Sequence, residues 1–145
     1  MQLIHQDSAV YTLNFERGDR IVSLLQTFLE QEQITAAHLT GLGAASEIEI
    51  AYYNLDTKTY ERTTITENLE IVSLVGNVGV KEDGGRVIHI HGTFGRHDLS
   101  VVGGHVFDIV VSGAGEVHLT ALSGTIHRTY DDTTGLTLMC PVENS

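Results

Sequence analysis

One stretch of this sequence has the period of a helix, and nearly everything after it has the period of a strand. Ile21, Leu24, Leu25, Phe28 and Leu29 fall at i, i+3, i+4, i+7 and i+8. That spacing makes one apolar stripe of an amphipathic helix over about residues 20–31. Arg20, Ser23, Gln26, Thr27 and Glu30 take the opposite side. Glu16-Arg17-Gly18-Asp19 ahead of it reads as a turn with Asp19 as the N-cap, and residues 9–14 read as a strand. Downstream, apolar or alternating runs cover residues 36–40, 48–52, 60–65, 69–80, 87–94, 99–111, 117–122 and 125–130. The polar stretches 54–58 and 81–85 read as hairpin turns. The chain holds 15 Gly and a single Pro, so glycine does most of the turning. One early helix followed by many strands predicts an α+β fold with a mostly antiparallel sheet. No linker, repeat or low-complexity tract divides residues 1–145, so a single domain is expected.

Charge and composition remove several classes of function. Nineteen acidic side chains against eight basic ones give a formal net charge of −11. Affinity for nucleic acid comes largely from Lys and Arg displacing counterions, so this balance opposes it. One Cys, Cys140, cannot form an intramolecular disulfide and fits a reducing compartment. The first seven residues show neither a basic nor an apolar region of a signal peptide, and charges interrupt every apolar run short of a membrane span. A cytoplasmic protein is expected. Neither a P-loop nor a GxSxG nucleophile elbow is present.

Eight His is a high count for 145 residues. His89 and His91 stand at i and i+2 in Val87-Ile88-His89-Ile90-His91, so a strand points both to one face. Two imidazoles separated by roughly 6.5–7 Å along a strand can converge on one cation. Ile88 and Ile90 then face a core. A hairpin centred near His97 or Asp98 folds His105 back to within a step of His89 or His91. Small residues precede His105 in Val102-Gly103-Gly104-His105, which lets backbone approach a ligand or a neighbouring subunit. A pair of half-exposed, hydrogen-bonded His is the plainer reading of the same residues. Three His with an open fourth position fit a catalytic or substrate-binding zinc site better than a structural one, and Ni, Fe or Mn suit the same donors. His97 sits in the turn and reads as solvated. His38, His118 and His127 read as satisfied structural imidazoles.

These motifs resemble a known family. Ile88-His89-Ile90-His91-Gly92 followed by Val102-Gly103-Gly104-His105 resembles the prokaryotic PPC domain, also called DUF296, which plants and prokaryotes share. Gly41-Leu42-Gly43-Ala44-Ala45-Ser46, Ile50-Ala51-Tyr52-Tyr53 and Leu69-Glu70-Ile71-Val72-Ser73-Leu74-Val75-Gly76-Asn77 are similar to further segments of that domain. The likeness spans about residues 8–130. It implies an α+β fold, a homotrimer, and a His-lined site onto which His89, His91 and His105 map. The plant proteins carry DNA affinity in an AT-hook. This chain has no Arg-Gly-Arg-Pro, so the DNA-binding label often attached to the family does not transfer on chemistry. A more distant likeness, to acetolactate decarboxylase, covers only the His constellation.

Two classes of function follow. The first is a metal-dependent enzyme, a lyase or hydrolase, or a small-molecule sensor. His89, His91 and His105 would hold zinc, Glu47 or Glu49 would serve as acid/base, and Arg96 or Arg86 would meet a carboxylate. The second is a non-enzymatic regulatory module whose trimer surface, including residues 69–77, engages another protein. Direct DNA binding through a patch of Arg86, Arg96 and Arg128 ranks last.

Overall fold

In a computed structural model, residues 1–141 are described. The elements in chain order are β1 (Gln2–Asp7), β2 (Val10–Glu16), α1 (Ile21–Gln31), β3 (Ala37–Asn54), β4 (Thr59–Ile65), β5 (Leu69–Lys81), β6 (Arg86–Gly95), β7 (Val101–Ala121), β8 (His127–Asp131) and β9 (Leu136–Met139). All nine strands belong to one sheet, ordered β1-β2-β7-β3-β5-β8-β9, with β4 on β3 and β6 on both β5 and β7. Every pairing is antiparallel except the short one between β5 and β8. The α+β expectation holds broadly, with one short helix against a dominant sheet.

The pairings β3–β7, β7–β6, β6–β5 and β5–β3 form a closed circuit, so the sheet curls on itself. Phe15, Leu39, Ile48, Leu74, Ile90, Phe94, Ile109 and Leu119 are fully buried in the resulting core. The helix lays its predicted stripe on that core: Ile21, Leu25, Phe28 and Leu29 are buried, and Leu24 packs against the cluster at its margin.

Three features depart from the sequence reading. Residues 36–40 and 48–52 are parts of the one strand β3, and residues 99–111 and 117–122 are parts of β7. Register shifts between Gly41 and Gly43, and at three places along β3–β7, break the alternation while the ladder continues. A bulge resets the period of two, so a long bulged strand reads as two short ones. Strands β1 and β9 lack a patterned apolar face and were not anticipated; every residue of β1 is exposed. Asp19 is not the helix cap. Its carboxylate accepts from the Glu16 amide at 2.9 Å and from the Met1 ammonium at 2.6 Å. The N-cap position is Arg20, and Asp108 of β7 caps from a distance, accepting from the Val22 amide at 3.0 Å and the Ser23 hydroxyl at 2.7 Å. Among the described residues no helix is long and apolar enough to cross a membrane.

Candidate metal centre

Strand geometry brings His89, His91 and His105 together. On β6, Ile90 is buried and Ile88 packs at the edge of the core, so the alternate residues His89 and His91 share the other face. The β6–β7 register sets His91 opposite His105, as the hairpin reading anticipated, and the β3–β7 register sets Ala51 opposite His105. The three ring centroids stand 5.1, 5.2 and 5.5 Å apart. One donor nitrogen from each ring can be chosen so that all lie within 4.8 Å of one another. Nε2 of His89 is 3.2 Å from Nε2 of His91. Zn–N bonds of 2.0–2.1 Å in a tetrahedral site hold their nitrogens about 3.4 Å apart, so this pair already has close to the required spacing.

Burial shapes the proton affinity of the group. His105 has its proton affinity pushed down to about 4, first by burial and then by the neighbouring His89, His91 and Arg62. His89 is lowered by burial, then by His91 and Arg128. Both are therefore neutral near pH 7, the state in which imidazole binds a metal. Nδ1 of His105 is buried and has no hydrogen-bond partner. A cation is the kind of partner such a nitrogen lacks, so the residues present fit a divalent metal.

Aromatic side chains wall one side. Tyr60 and Phe107 lie 4.7 and 5.0 Å from the His105 ring, and the Arg62 guanidinium sits 3.5 Å over Phe107. A hollow of about 260 Å³ opens beside the cluster, lined by His89, His105, Tyr60, Ile88, Arg128 and Leu136 among others. The turn between β8 and β9 is held there by a hydrogen bond from the Tyr53 hydroxyl to the Thr134 carbonyl at 2.7 Å.

The other predicted site residues are engaged elsewhere. Glu47 pairs with Arg20 at 3.3 Å and stands opposite Val110, five positions along β7 from His105, or roughly 16 Å at the strand rise. Glu49 pairs with Arg62 at 2.9 Å. Arg96 lies in the β6–β7 turn, bonded to Glu67 at 2.8 Å, and Arg86 donates to the Ile34 carbonyl at 2.8 Å. Within one chain, the His cluster gathers neither Glu47 nor Arg96, because the strands run away from it in both directions. The proposed basic patch does not form either: Arg96 is paired and Arg128 is buried. Gly103 and Gly104 do admit close backbone approach, but of strands in the same chain. A Cβ at Gly103 would lie 2.7 Å from the Gly92 carbonyl oxygen, and one at Gly104 would lie 2.7 Å from that of Ala51. His38, His97, His118 and His127 are all exposed, and His118 reaches Thr12 at 3.2 Å. Sequence reasoning did not find Tyr60, Phe107 or Leu136 as walls, since only the fold brings those segments to the His.

Residues 4–136 match the Plants and Prokaryotes Conserved (PCC) domain. The chain belongs to that family. Solved structures share its fold. A metal-containing protein from Archaeoglobus fulgidus is 34% identical, with a TM-score of 0.85 over 97% of this chain and 99% of its own. A Bacteroides thetaiotaomicron protein, provisionally named as DNA-binding, is 30% identical, with a TM-score of 0.90 over 94% of each chain. Acetolactate decarboxylase of Bacillus subtilis strain 168 aligns at a TM-score of 0.56 and 15% identity, over 85% of this chain and 57% of the enzyme, a likeness of fold alone. No curated protein matches the sequence.

Proposed function

We propose that this PCC domain uses His89, His91 and His105 to hold one divalent first-row metal, zinc by the character of the donors, and binds or acts on a small molecule beside it. The observation that carries this reading is the convergence of three imidazole donors within 4.8 Å, with a buried nitrogen of His105 lacking any partner. The related Archaeoglobus fulgidus protein, named as metal-containing, supports it. Three imidazole donors leave a fourth position open, the donor set of catalytic zinc rather than structural zinc. When bound, such a metal polarises a carbonyl or lowers the pKa of a bound water, chemistry that suits a lyase or a hydrolase. The chain's own contribution is to keep His89 and His105 neutral by burial and to wall the hollow with Tyr60 and Leu136.

The assembly we propose is a homotrimer. Val72 and Val75 of β5 and Val101 of β7 are each more than half exposed, an apolar strand surface that a second copy would cover. The lone Cys140 suits the cytoplasm. The same apolar surface favours a second reading, a regulatory module docking another protein. DNA binding ranks below both, since the net charge is −11 and Arg20, Arg62 and Arg96 are already paired with carboxylates.

Elemental analysis of protein purified without chelator, and of apoprotein reconstituted with zinc, tests the metal reading. About one equivalent per chain is expected. Less than about a tenth of an equivalent after reconstitution overturns it.

A further inference from the structure

Arg128 is the only buried charged residue among those described, with 5% of its surface exposed. The parallel pairing of β8 with β5 sets it opposite Lys81, and its side chain forms part of the wall of the hollow beside His89 and His105. Nη1 donates to the Thr137 carbonyl at 2.9 Å and Nη2 to Oδ1 of Asn77 at 2.5 Å. Both acceptors are neutral. Nε is buried with no partner.

Among the described residues no carboxylate balances this guanidinium. Arg128 takes part in none of the ion pairs among the described residues. The nearby described acids are turned to other work: Glu82 accepts from Thr129, Asp83 pairs with Lys81 and accepts from the Gly85 amide, and Asp131 accepts from the amide and hydroxyl of Thr134. Among the described residues no Asp or Glu lines the hollow. A clamp tying β8 to β9 and β5 explains the two hydrogen bonds but not the charge. Burying a cation is costly unless an anion accompanies it, and guanidinium is the side chain best matched to a carboxylate. The neutral His in the same wall supply no negative charge, and a metal held by them would add positive charge.

We propose that the hollow takes a small carboxylate, with Arg128 as its counter-ion. The inference rests on the proposed function in that it assigns the ligand of the same hollow. A volume of about 260 Å³ equals roughly nine waters in the liquid, so an acid of a few carbons fits.

The test is calorimetric titration of the metal-reconstituted protein with acetate, lactate and succinate. Each is compared with its neutral amide, and inorganic phosphate serves as a second anion. At least one acid should bind about tenfold or more tightly than its amide, and Arg128→Gln should abolish that difference. Arg128→Lys retains the charge and should keep part of the preference. Equal binding of acids and amides, binding of phosphate without any carboxylate, or no binding at millimolar concentration overturns the proposal. The acid–amide comparison is repeated on metal-free protein, where Arg128 is the only cation lining the hollow among the described residues, so it decides even if Arg128→Gln fails to fold. Metal content of the same preparations separates the two readings. One equivalent of metal with no acid preference leaves the metal reading standing and removes this one. Acid preference without metal does the reverse.

Discussion

His91 stands directly across from His105 in the antiparallel register of β6 and β7, and His89 reaches the same point from two residues along β6. The cluster is thus a property of strand pairing and needs no specialised loop. His91 is exposed, so replacing it removes a donor without opening the core. His91→Ala is expected to leave the urea midpoint of the metal-free protein nearly unchanged. It should weaken zinc binding by roughly 100-fold or more, since loss even of an outer partner costs 10–100-fold. Competition against a fluorescent chelator measures this, and unchanged affinity would remove His91 from the site.

The proton affinities predict a pH dependence for protein stripped of metal. His105 in the folded chain takes its proton only near pH 4, whereas in the unfolded chain it does so near 6.5. Between those values the unfolded state binds the extra proton. Stability is therefore full above about 6.5, falls as pH drops toward 4, and levels off below. The full shift is worth about 3.4 kcal/mol, solvent around the partly buried ring reduces the His105 contribution below that, and His89 acts in the same direction. Urea midpoints at several pH values in the presence of chelator measure the slope. His105→Gln should flatten it between pH 6.5 and 5, above the range where most carboxylates titrate.

Much of this site was legible because its parts are close in sequence. The His-x-His spacing fixes a shared face on any strand, and a short turn near His97 fixes where His105 returns. The stripe from Ile21 to Leu29 marked the helix for the same reason, since its period is local. What stayed hidden depends on distant pairing. Arg128 reaches the hollow only because β8 runs parallel to the end of β5, a contact that nothing in its own segment signals. Proximity in sequence to the Gly41–Ala44 segment is the local reason to expect Glu47 as an acid/base. The bulged strand β3 instead carries it toward Arg20 and the start of α1.

Gly103 and Gly104 give the next prediction. A Cβ at Gly104 would press on the Ala51 carbonyl of β3, and one at Gly103 on the Gly92 carbonyl of β6, each at 2.7 Å. The neighbours are backbone and cannot swing aside. Gly104→Ala and Gly103→Ala should each cost about 1–3 kcal/mol, read as a lower urea midpoint. Gly104→Ala should also weaken zinc binding, because it shifts the backbone beside His105. Gly113 is the control: a Cβ there meets only the Ala44 Cβ, at 3.9 Å, so Gly113→Ala should stay within about 0.5 kcal/mol of wild type.

Asp108 gives the last prediction, and it separates fold stability from the site. Its carboxylate accepts from the Val22 amide at 3.0 Å and the Ser23 hydroxyl at 2.7 Å, and Arg20 stands 3.7 Å away. The helix carries no acidic residue in its first turn and no capping side chain of its own. Asp108 therefore satisfies an amide that would otherwise lack a partner, and it places negative charge at the positive end of the helix. Asp108→Ala should cost about 1–2 kcal/mol, the usual worth of an N-cap. Asp108→Asn keeps an acceptor and should recover part of the loss. Zinc content of both variants should stay at the wild-type level, because this bond joins β7 to α1 and the His donors lie on β6 and further along β7. A stability loss after Asp19→Ala accompanied by lower helix ellipticity, with Asp108→Ala silent, would return the capping role to the residue the local sequence favours.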